Sequence, residues 1–464
     1  MSFSKYIKDR ENITRSYHSI RIERLDSMHN LNLIPEFSSH LQNLCISQTT
    51  IKNPAMLKKM LECLKLLKTL AFTRVQIEPE MDVHQDFPIT SSKVLNSRLE
   101  IPSDDLKLTL KKLSMVQVDH RIIKFLPDYQ VKNLEITDGT NRTDFGYLIN
   151  FIRSQRKLDS LTIENLSDSP SALFEDEKYR EINFKLKNLS ILFSHIRDVD
   201  KFDENFVSFL KFQVASLEKL KVEGSLSLKV FKFIVGNFHA MKELEINVNE
   251  LPQENSFYDF LGSNCTLRIL KLNGTLTRSN LNGFKGILGH YRGIERISLA
   301  DTDKFVANDV FHLLSVRITR LNDLSVLNLH ESFAPNVNLT SLTKFSIKIL
   351  NNIAQWKAFI ERNVSLEVLH VGWIKRDQFT PQIIQEISEL PNLRHLKFCG
   401  RFTACKQIYE VLKVDYKNLR TLELTVGNYD EIKILKFIFP YDKRLWMPKC
   451  LYFDEGSNRE PLND

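Results

Sequence analysis

Glycine and proline are both scarce in this sequence, with 14 of each among 464 residues. Chains whose domains are joined by flexible linkers are usually richer in both residues at the joints. Pro-rich, Ser-rich and low-complexity stretches are missing as well. The sequence therefore favours one continuous structure over several independent domains.

Long apolar runs are also missing. No stretch of about 18 apolar residues occurs, and the start, MSFSKYIKDRENITRSY, lacks the apolar core of a signal peptide. We therefore expect no membrane partner and a cytoplasmic or nuclear location, or both. The six cysteines form no CxxC pair, which favours free thiols in a reducing compartment.

The sequence carries none of the short motifs that mark common active sites. GxSxG, the P-loop, GxGxxG after a strand and HExxH are all absent, and the 12 histidines are scattered. We therefore predict no catalytic, cofactor-binding or metal-binding residues, and a protein that is not an enzyme. The net charge of +7 is spread along the chain without a run of five like charges, so no nucleic-acid partner is expected.

What the sequence does contain is a repeat. A six-residue pattern of apolar, two mostly polar, apolar, one mostly polar and apolar residues recurs with a mean spacing of about 27 residues. Its copies are LQNLCI, LKTLAF, LKKLSM, VKNLEI, LDSLTI, LKNLSI, LEKLKV, MKELEI, LRILKL, IERISL, LSVLNL, LTKFSI, LEVLHV, LRHLKF and LRTLEL. In each copy, alternation predicts a short strand with its apolar residues pointing inward.

The stretches between these strands have apolar residues at spacings of three and four, which predicts helices. Examples are residues 53–67, 144–154, 205–214, 308–318, 355–363, 381–390 and 430–439. One strand and one helix cannot bury their apolar faces alone, whereas stacked units can. The predicted fold is an α/β leucine-rich-repeat solenoid, with a curved parallel sheet on the concave side and helices on the convex side.

The repeats divide the chain into three expected parts. Residues 1–40 lead into the repeats, residues 41–440 form the array, and residues 441–464 form a C-terminal cap and tail, with a last strand at 450–453. Two polar segments, about 78–108 and 167–182, interrupt the array and are expected to project as loops, the first with room for a degenerate repeat.

Without catalytic motifs, function is expected to come from surface recognition by the polar residues between the strand leucines. From the motif spacing, one predicted row holds Lys344 and His395, the next holds Asn328, His370 and Lys397, and Lys348 lies one step further along. We predict that an acidic protein surface binds a basic group on the concave face, made of Lys344, Lys348, His370, His395 and Lys397.

Two tryptophans are also notable. Trp356 lies at core spacing in a predicted helix and is expected to pack in the core. Trp373 directly follows a strand and is either a surface anchor or a core residue.

The irregular repeats, with motifs such as VKNLEI, LKNLSI and LRILKL, resemble the repeat region of animal F-box/leucine-rich-repeat proteins. ITRSYHSIRI, followed by HLQNLCIS and a helix, resembles the start of those repeats, and the resemblance extends over about residues 13–440. It implies a substrate-recognition subunit of a cullin-based ubiquitin ligase. A Skp-type adaptor and a cullin are implied only if an F-box lies upstream, because no F-box-like segment precedes the repeats here. The alternative is a stand-alone interaction scaffold or inhibitor with no link to a ligase.

Overall fold

In the computed structural model the chain divides into two compact units, Met1–Leu217 and Glu218–Asp464. The structure describes residues 18–23, 40–78, 108–126, 128–137, 145–165, 174, 184–192, 199–224, 227–248, 251, 266–328, 338–350, 353–374, 381–402, 411–414, 416–427, 432–438 and 449–454. Each unit is described by itself.

The first unit is a parallel sheet of seven described strands interleaved with helices. Its elements are β1 (Ser19–Glu23), β2 (Asn43–Ile51), α1 (Pro54–Cys63), β3 (Thr69–Ile77), β4 (Thr109–Val116), a 3-10 helix (His120–Phe125), β5 (Gln130–Thr137), α2 (Phe145–Ser154), β6 (Ser160–Glu164), β7 (Asn188–Leu192) and α3 (Val199–Lys211). Each strand from β1 to β7 pairs in parallel with the next described strand.

The second unit continues the same strand–helix order and ends differently. Its elements are β8 (Lys219–Glu223), α4 (Leu228–Asn237), β9 (Glu243–Asn247), β10 (Ile269–Leu276), α5 (Leu281–His290), β11 (Arg296–Thr302), α6 (Ala307–Arg317), β12 (Asp323–Asn328), β13 (Lys344–Leu350), α7 (Ile353–Arg362), β14 (Val368–Ile374), α8 (Pro381–Ser388), β15 (His395–Phe402), β16 (Thr421–Gly427), β17 (Ile432–Ile438) and β18 (Lys449–Asp454). Strands β8 to β16 pair in parallel, and β17 and β18 are antiparallel additions. The α/β class and the repeated, open, mostly parallel architecture are therefore confirmed.

The apolar positions of the six-residue pattern form the core of each unit. In LEVLHV, for example, Leu366, Leu369 and Val371 are all fully buried. Because side chains alternate across a strand, the residues between them lie on the opposite face of the sheet. The pattern therefore builds one apolar face and one polar face on each sheet.

A backbone contact recurs between neighbouring repeats, just after the first apolar position. The carbonyl of Asn322 accepts two hydrogen bonds, from the N–H groups of Thr343 at 3.0 Å and Lys344 at 2.8 Å. Equivalent carbonyls that accept two such bonds are those of His18, Gln42, Lys68, Asp159, Glu218, Lys242, Arg268, Glu295, Thr343, Glu367 and Arg394. This double acceptor fixes the alignment of one repeat on the next.

The double acceptor shows that the predicted register of one repeat is wrong. The sequence pattern was placed on LSVLNL, starting at Leu324, but Leu324 pairs with Phe345, which is the second apolar residue of the next repeat. The repeat is therefore LNDLSV, starting at the fully buried Leu321. Two overlapping copies of the motif compete in this segment, and only pairing to both neighbours decides between them. Asp323 and Ser325, instead of Asn328, then lie in the polar rows.

Buried amide side chains link the ends of three helices to the backbone of an earlier segment. Gln155 follows α2, and its Oε1 accepts a hydrogen bond from the Val131 N–H at 2.8 Å. Gln213 follows α3 and accepts from the Leu186 N–H at 2.8 Å. Asn363 follows α7, accepts from the Leu339 N–H at 2.9 Å, and donates to a helix carbonyl. These amides satisfy buried backbone groups that would otherwise cost stability.

Helix α7 packs its aromatic face against the apolar face of the sheet. Trp356 is fully buried, and its ring lies 6.3 Å from that of Phe345 in β13. Phe359 lies closer to Phe345, at 4.5 Å between ring centroids. The expectation that Trp356 is a packing residue is confirmed.

The C-terminal end corrects one predicted element and confirms another. Residues 430–439 were expected to form a helix, but 432–438 form the strand β17, antiparallel to β16. The apolar residues in IKILKFI suit either spacing, and the isoleucines favour a strand once an unpaired edge is available. The strand expected at 450–453 is confirmed as β18. The domain boundaries expected at residues 40 and 440 stay predictions.

The two polar segments fall mostly outside the described residues. The first, about 78–108, lies there almost entirely, but β3 pairs directly with β4, so no further strand stands between them. In the second, 167–182, only Phe174 is described. It is buried against α3, with ring distances of 5.0 Å to Phe206 and 5.1 Å to Phe209. At this residue the expected projecting loop is wrong, because its aromatic side chain joins the core.

Gly372 in β14 provides a test of the close strand packing. A Cβ built at this position would collide with the backbone carbonyl of Lys348 in β13, and backbone cannot move aside cheaply. We expect Gly372→Ala to destabilise the chain by about 1–3 kcal/mol. In α5, Gly289 has no atom within 4 Å of such a Cβ. Gly289→Ala is the control and should stabilise by about 0.5–1 kcal/mol. Urea unfolding measures both, and equal midpoints for the two variants would contradict the assignment.

Candidate functional site

The polar sheet faces of the two units differ in charge. Across β1 to β7 the outward rows are mostly small and neutral; they include Asn43, Cys45, Thr69, Ala71, Ser114, Asn133, Ser160, Thr162, Asn188 and Ser190. The rows across β8 to β17 carry many lysine, arginine, aspartate and glutamate side chains. The candidate site is therefore on the second unit.

Three lysines and three glutamates on β8 to β10 form one connected group, here named the neutral cluster: Lys219, Lys221, Lys271, Glu223, Glu243 and Glu245. Lys271 Nζ lies 2.7 Å from Glu243 Oε1 and 3.6 Å from Glu245 Oε2. Lys221 Nζ lies 2.7 Å from Glu223 and 3.2 Å from Glu245. Lys219 contacts Glu243 at 3.1 Å. Each charge in the cluster therefore has an opposite charge beside it.

These contacts also shift the ionisation of the cluster. Burial by itself would raise the pKa of Glu243, but hydrogen bonds from Lys271 and Lys219 outweigh it and lower that pKa. Burial acts on Glu245 in the same way, and contacts with Asn273 and Lys221 lower its pKa. The hydrogen bond to Glu243 raises the pKa of Lys271. These shifts favour the charged forms of Glu243, Glu245 and Lys271, and the cluster holds as many lysines as glutamates.

Further along the sheet, basic side chains outnumber acidic ones. This region, here named the C-terminal patch, consists of Arg296, Asp323, Lys344, Lys348, His370, His395, Lys397, Glu423 and Lys436. The pairing register places Arg296, Asp323 and Lys344 side by side on β11, β12 and β13. The next row holds His370, Lys397, Glu423 and Lys436 on β14 to β17. The patch has five basic and two acidic side chains, before either histidine is counted.

Each acid of the patch is shared between two bases. Asp323 Oδ2 lies 3.0 Å from Lys344 Nζ and 4.0 Å from Arg296 Nε. Glu423 contacts Lys436 at 3.2 Å and Lys397 at 3.5 Å. Two carboxylates cannot neutralise four bases, so positive charge remains on the face.

The structure brings the five predicted basic residues onto three neighbouring strands, β13, β14 and β15. Lys344 and Lys397 are half-buried and ion-paired, whereas Lys348 is exposed and has no ion pair among the described residues. His395 is exposed, and its Nδ1 lies 2.7 Å from Thr421 Oγ1. The backbone of Trp373 pairs with Ile349, but its side chain lies outside the described part of the chain, so both readings of it stay predictions.

His370 lies in the middle of the patch. Its Nδ1 is 3.2 Å from Ser346 Oγ on the neighbouring strand. Burial lowers the pKa of His370, and the positive charges of Lys344 and Lys397 lower it further. Glu423 and Asp323 act in the opposite direction without reversing the shift. His370 is therefore mainly neutral near pH 7.

Three residues of the patch were missed by the sequence reasoning for different reasons. Asp323 was hidden by the misplaced register of its repeat, and the buried Leu321 was the signal for the right one. Lys436 was assigned to a helix, yet its strand places it beside Glu423. Arg296 has the same place in its motif as Lys344 but was left out of the predicted basic group, and only its position beside Asp323 makes it part of this patch.

No family model matches this chain, and no curated protein matches it either. Within the described ranges, no group of three or more His, Cys, Asp or Glu side chains is placed to hold a metal ion. None of the described helices is long and apolar enough to cross a membrane. Interpretation of the site therefore rests on its own charges and geometry.

The neutral cluster makes acid stability testable. Glutamates with lowered folded-state pKa values contribute stability above their unfolded pKa of about 4.3, and this stability is lost as pH falls through the folded values. Lys271→Gln removes a partner of both Glu243 and Glu245. We expect it to cost about 0.5–1 kcal/mol at pH 7 and to make the loss of stability below pH 5 shallower.

Urea unfolding at pH 7, 5 and 4 measures this effect. Lys58→Gln is the matched control, because Lys58 is exposed on α1 and has no ion pair among the described residues. The control should follow the unsubstituted chain at every pH. If Lys271→Gln also does so, the cluster does not contribute to stability.

Proposed function

We propose that this chain is a leucine-rich-repeat scaffold, located in the cytoplasm or nucleus, that binds an acidic surface of another protein. In this proposal the polar face of the sheet is the concave side of a solenoid and the helices form its convex side. The strand–helix repeat of about 27 residues and the single apolar sheet face support that arrangement. The proposed role is recognition, not catalysis.

The observation that carries the proposal is the excess of positive charge on the C-terminal patch. Its two acids are each shared by two bases, and Lys348 has no acidic partner among the described residues. The neutral cluster on the same sheet shows the contrast, because there every charge is matched. A charge excess concentrated on one part of a face favours an oppositely charged partner and speeds its association.

We further propose that the bound protein is a substrate for ubiquitin transfer. This role rests on the resemblance of the repeats to those of F-box/leucine-rich-repeat proteins. It requires a Skp-type adaptor and a cullin to be joined through a segment that no described residue supplies. A stand-alone scaffold or inhibitor would use the same surface without them.

Charge reversal on the patch tests the surface. We expect Lys348→Glu combined with Lys344→Gln and Lys397→Gln to abolish capture of the partner, because the patch loses its net positive charge. Reversal is confined to Lys348, since a glutamate at either of the other positions would face an existing carboxylate. The measurement is affinity purification of the tagged chain from its own cells, read by mass spectrometry, at low and at physiological salt.

Lys58→Glu combined with Lys59→Gln and Lys65→Gln is the matched control, because it makes the same charge change away from the sheet face. A protein captured by both the unsubstituted chain and the control, but lost from the patch variant, is the expected partner. Capture that survives the patch substitutions contradicts the proposed surface. Recovery of an adaptor and a cullin with every variant supports the ligase role, and their absence favours the stand-alone scaffold.

A further inference from the structure

His370 is the central side chain of the C-terminal patch. It lies on β14 between two strands that each carry a patch lysine, with Ser346 in register on one side and Lys397 in register on the other. Its ring nitrogen Nδ1 is within hydrogen-bond distance of Ser346 Oγ, at 3.2 Å. This hydrogen bond therefore orients the ring within the row that His370 shares with Lys397 and Glu423.

The charged groups around His370 come from every neighbouring strand of the patch. Partial burial disfavours a positive charge on His370, and the charges of Lys344 and Lys397 disfavour it further. Asp323 and Glu423 favour it, but both carboxylates already contact lysines. The remaining titratable side chains of the patch are those of Arg296, Lys348, His395 and Lys436.

We propose that His370 is a proton-controlled charge within the binding surface, so that an acidic partner binds more tightly as the pH falls from about 7.5 to 5.5. This inference rests on the proposed function and specifies how that site is regulated. When His370 is uncharged, the net positive charge of the patch comes from its lysines and Arg296 alone. Protonated His370 adds one positive charge at the centre, where a partner carboxylate would be nearest.

The direction follows from linkage between proton binding and partner binding. Carboxylates of the partner raise the pKa of His370, so binding is accompanied by uptake of a proton. Affinity then rises as the pH falls through the interval between the free and bound pKa values, by at most about tenfold per pH unit for one proton. Without a partner, a fall in pH lowers the stability of the folded chain. Because the pKa of His370 is lowered by folding, its protonation costs stability as the pH falls below about 6.5.

A poly-aspartate peptide serves as the probe, because aspartate, with a pKa of about 3.9, stays ionised over the range used. Its dissociation constant for the full chain is measured at low salt between pH 7.5 and 5.5. We expect the unsubstituted chain to bind about three- to tenfold more tightly at pH 5.5 than at pH 7.5, within the limit set by one proton. His370→Asn should lose most of this change, since asparagine stays neutral over the whole pH range and can still hydrogen-bond Ser346.

The exposed histidine of the same patch provides the control. His395→Asn should keep most of the pH dependence, because His395 lies in register with Val368 and Thr421, outside the row that His370 shares with Lys397 and Glu423. His370→Gln is the second variant, and circular dichroism confirms that each variant is folded. A purely structural role for His370 would lower the melting temperature without flattening the pH dependence of binding.

The two ways of failing are distinguishable. Equal pH dependence in the unsubstituted chain and in both folded His370 variants overturns the inference and leaves the proposed binding surface standing. Poly-aspartate that binds at no pH, even at low salt, overturns the acidic partner itself and the inference with it. Loss of pH dependence in His395→Asn but not in His370→Asn assigns the proton to His395 and also overturns the inference.

Discussion

The double hydrogen bond to a single carbonyl, present in most repeats, is the contact on which the strand alignment depends. It follows the first apolar residue directly, so it ties the backbone register to a residue of the buried core. A slip of one residue would turn every apolar side chain of a strand to the polar face. Because the contact recurs between all consecutive parallel strands of the second unit, from β8 to β16, the polar residues of those strands lie in rows across the sheet. The candidate site is a consequence of those rows.

Once the rows are fixed, the charge on the face depends on which acids and bases become neighbours. In the neutral cluster, Glu243 and Glu245 on β9 lie between lysines of β8 and β10, whose contacts lower the pKa of both carboxyl groups despite partial burial. In the C-terminal patch, two acids are each placed between two bases. The same kinds of side chain therefore give a balanced group on β8 to β10 and an excess of positive charge on β11 to β17.

The patch also shows how a sheet face can make a histidine responsive to its surroundings. Burial and, after it, two nearby lysines lower the pKa of His370, while two carboxylates within electrostatic range act in the opposite direction. Neighbouring strands of a sheet are only about 4.8 Å apart, so charges on three or four strands act on one ring. A ligand that brings further carboxylates to this face changes the balance directly.

The strand–helix order could be read from the sequence with few errors. Fourteen of the fifteen motifs, the helices between most of them and the terminal strand β18 follow from apolar spacing, which is a local property. The sequence also placed Lys344, Lys348, His370, His395 and Lys397 on one face, because alternation along a strand needs no tertiary information.

The remaining features needed tertiary contacts. LNDLSV and LSVLNL both fit the motif, and only pairing with β11 and β13 selects the first and brings Asp323 beside Lys344. Residues 432–438 suit a helix or a strand, and the free edge of β16 decides for the strand that carries Lys436 to Glu423. Phe174 lies in a polar segment, and the aromatic surface of α3 draws it into the core. The sequence by itself determined which residues alternate and how often the pattern repeats, whereas tertiary structure alone decided which side chains meet across strands. The physical reason is that local spacing sets the face on which a side chain lies, while its neighbours are set by contacts between segments distant in the chain.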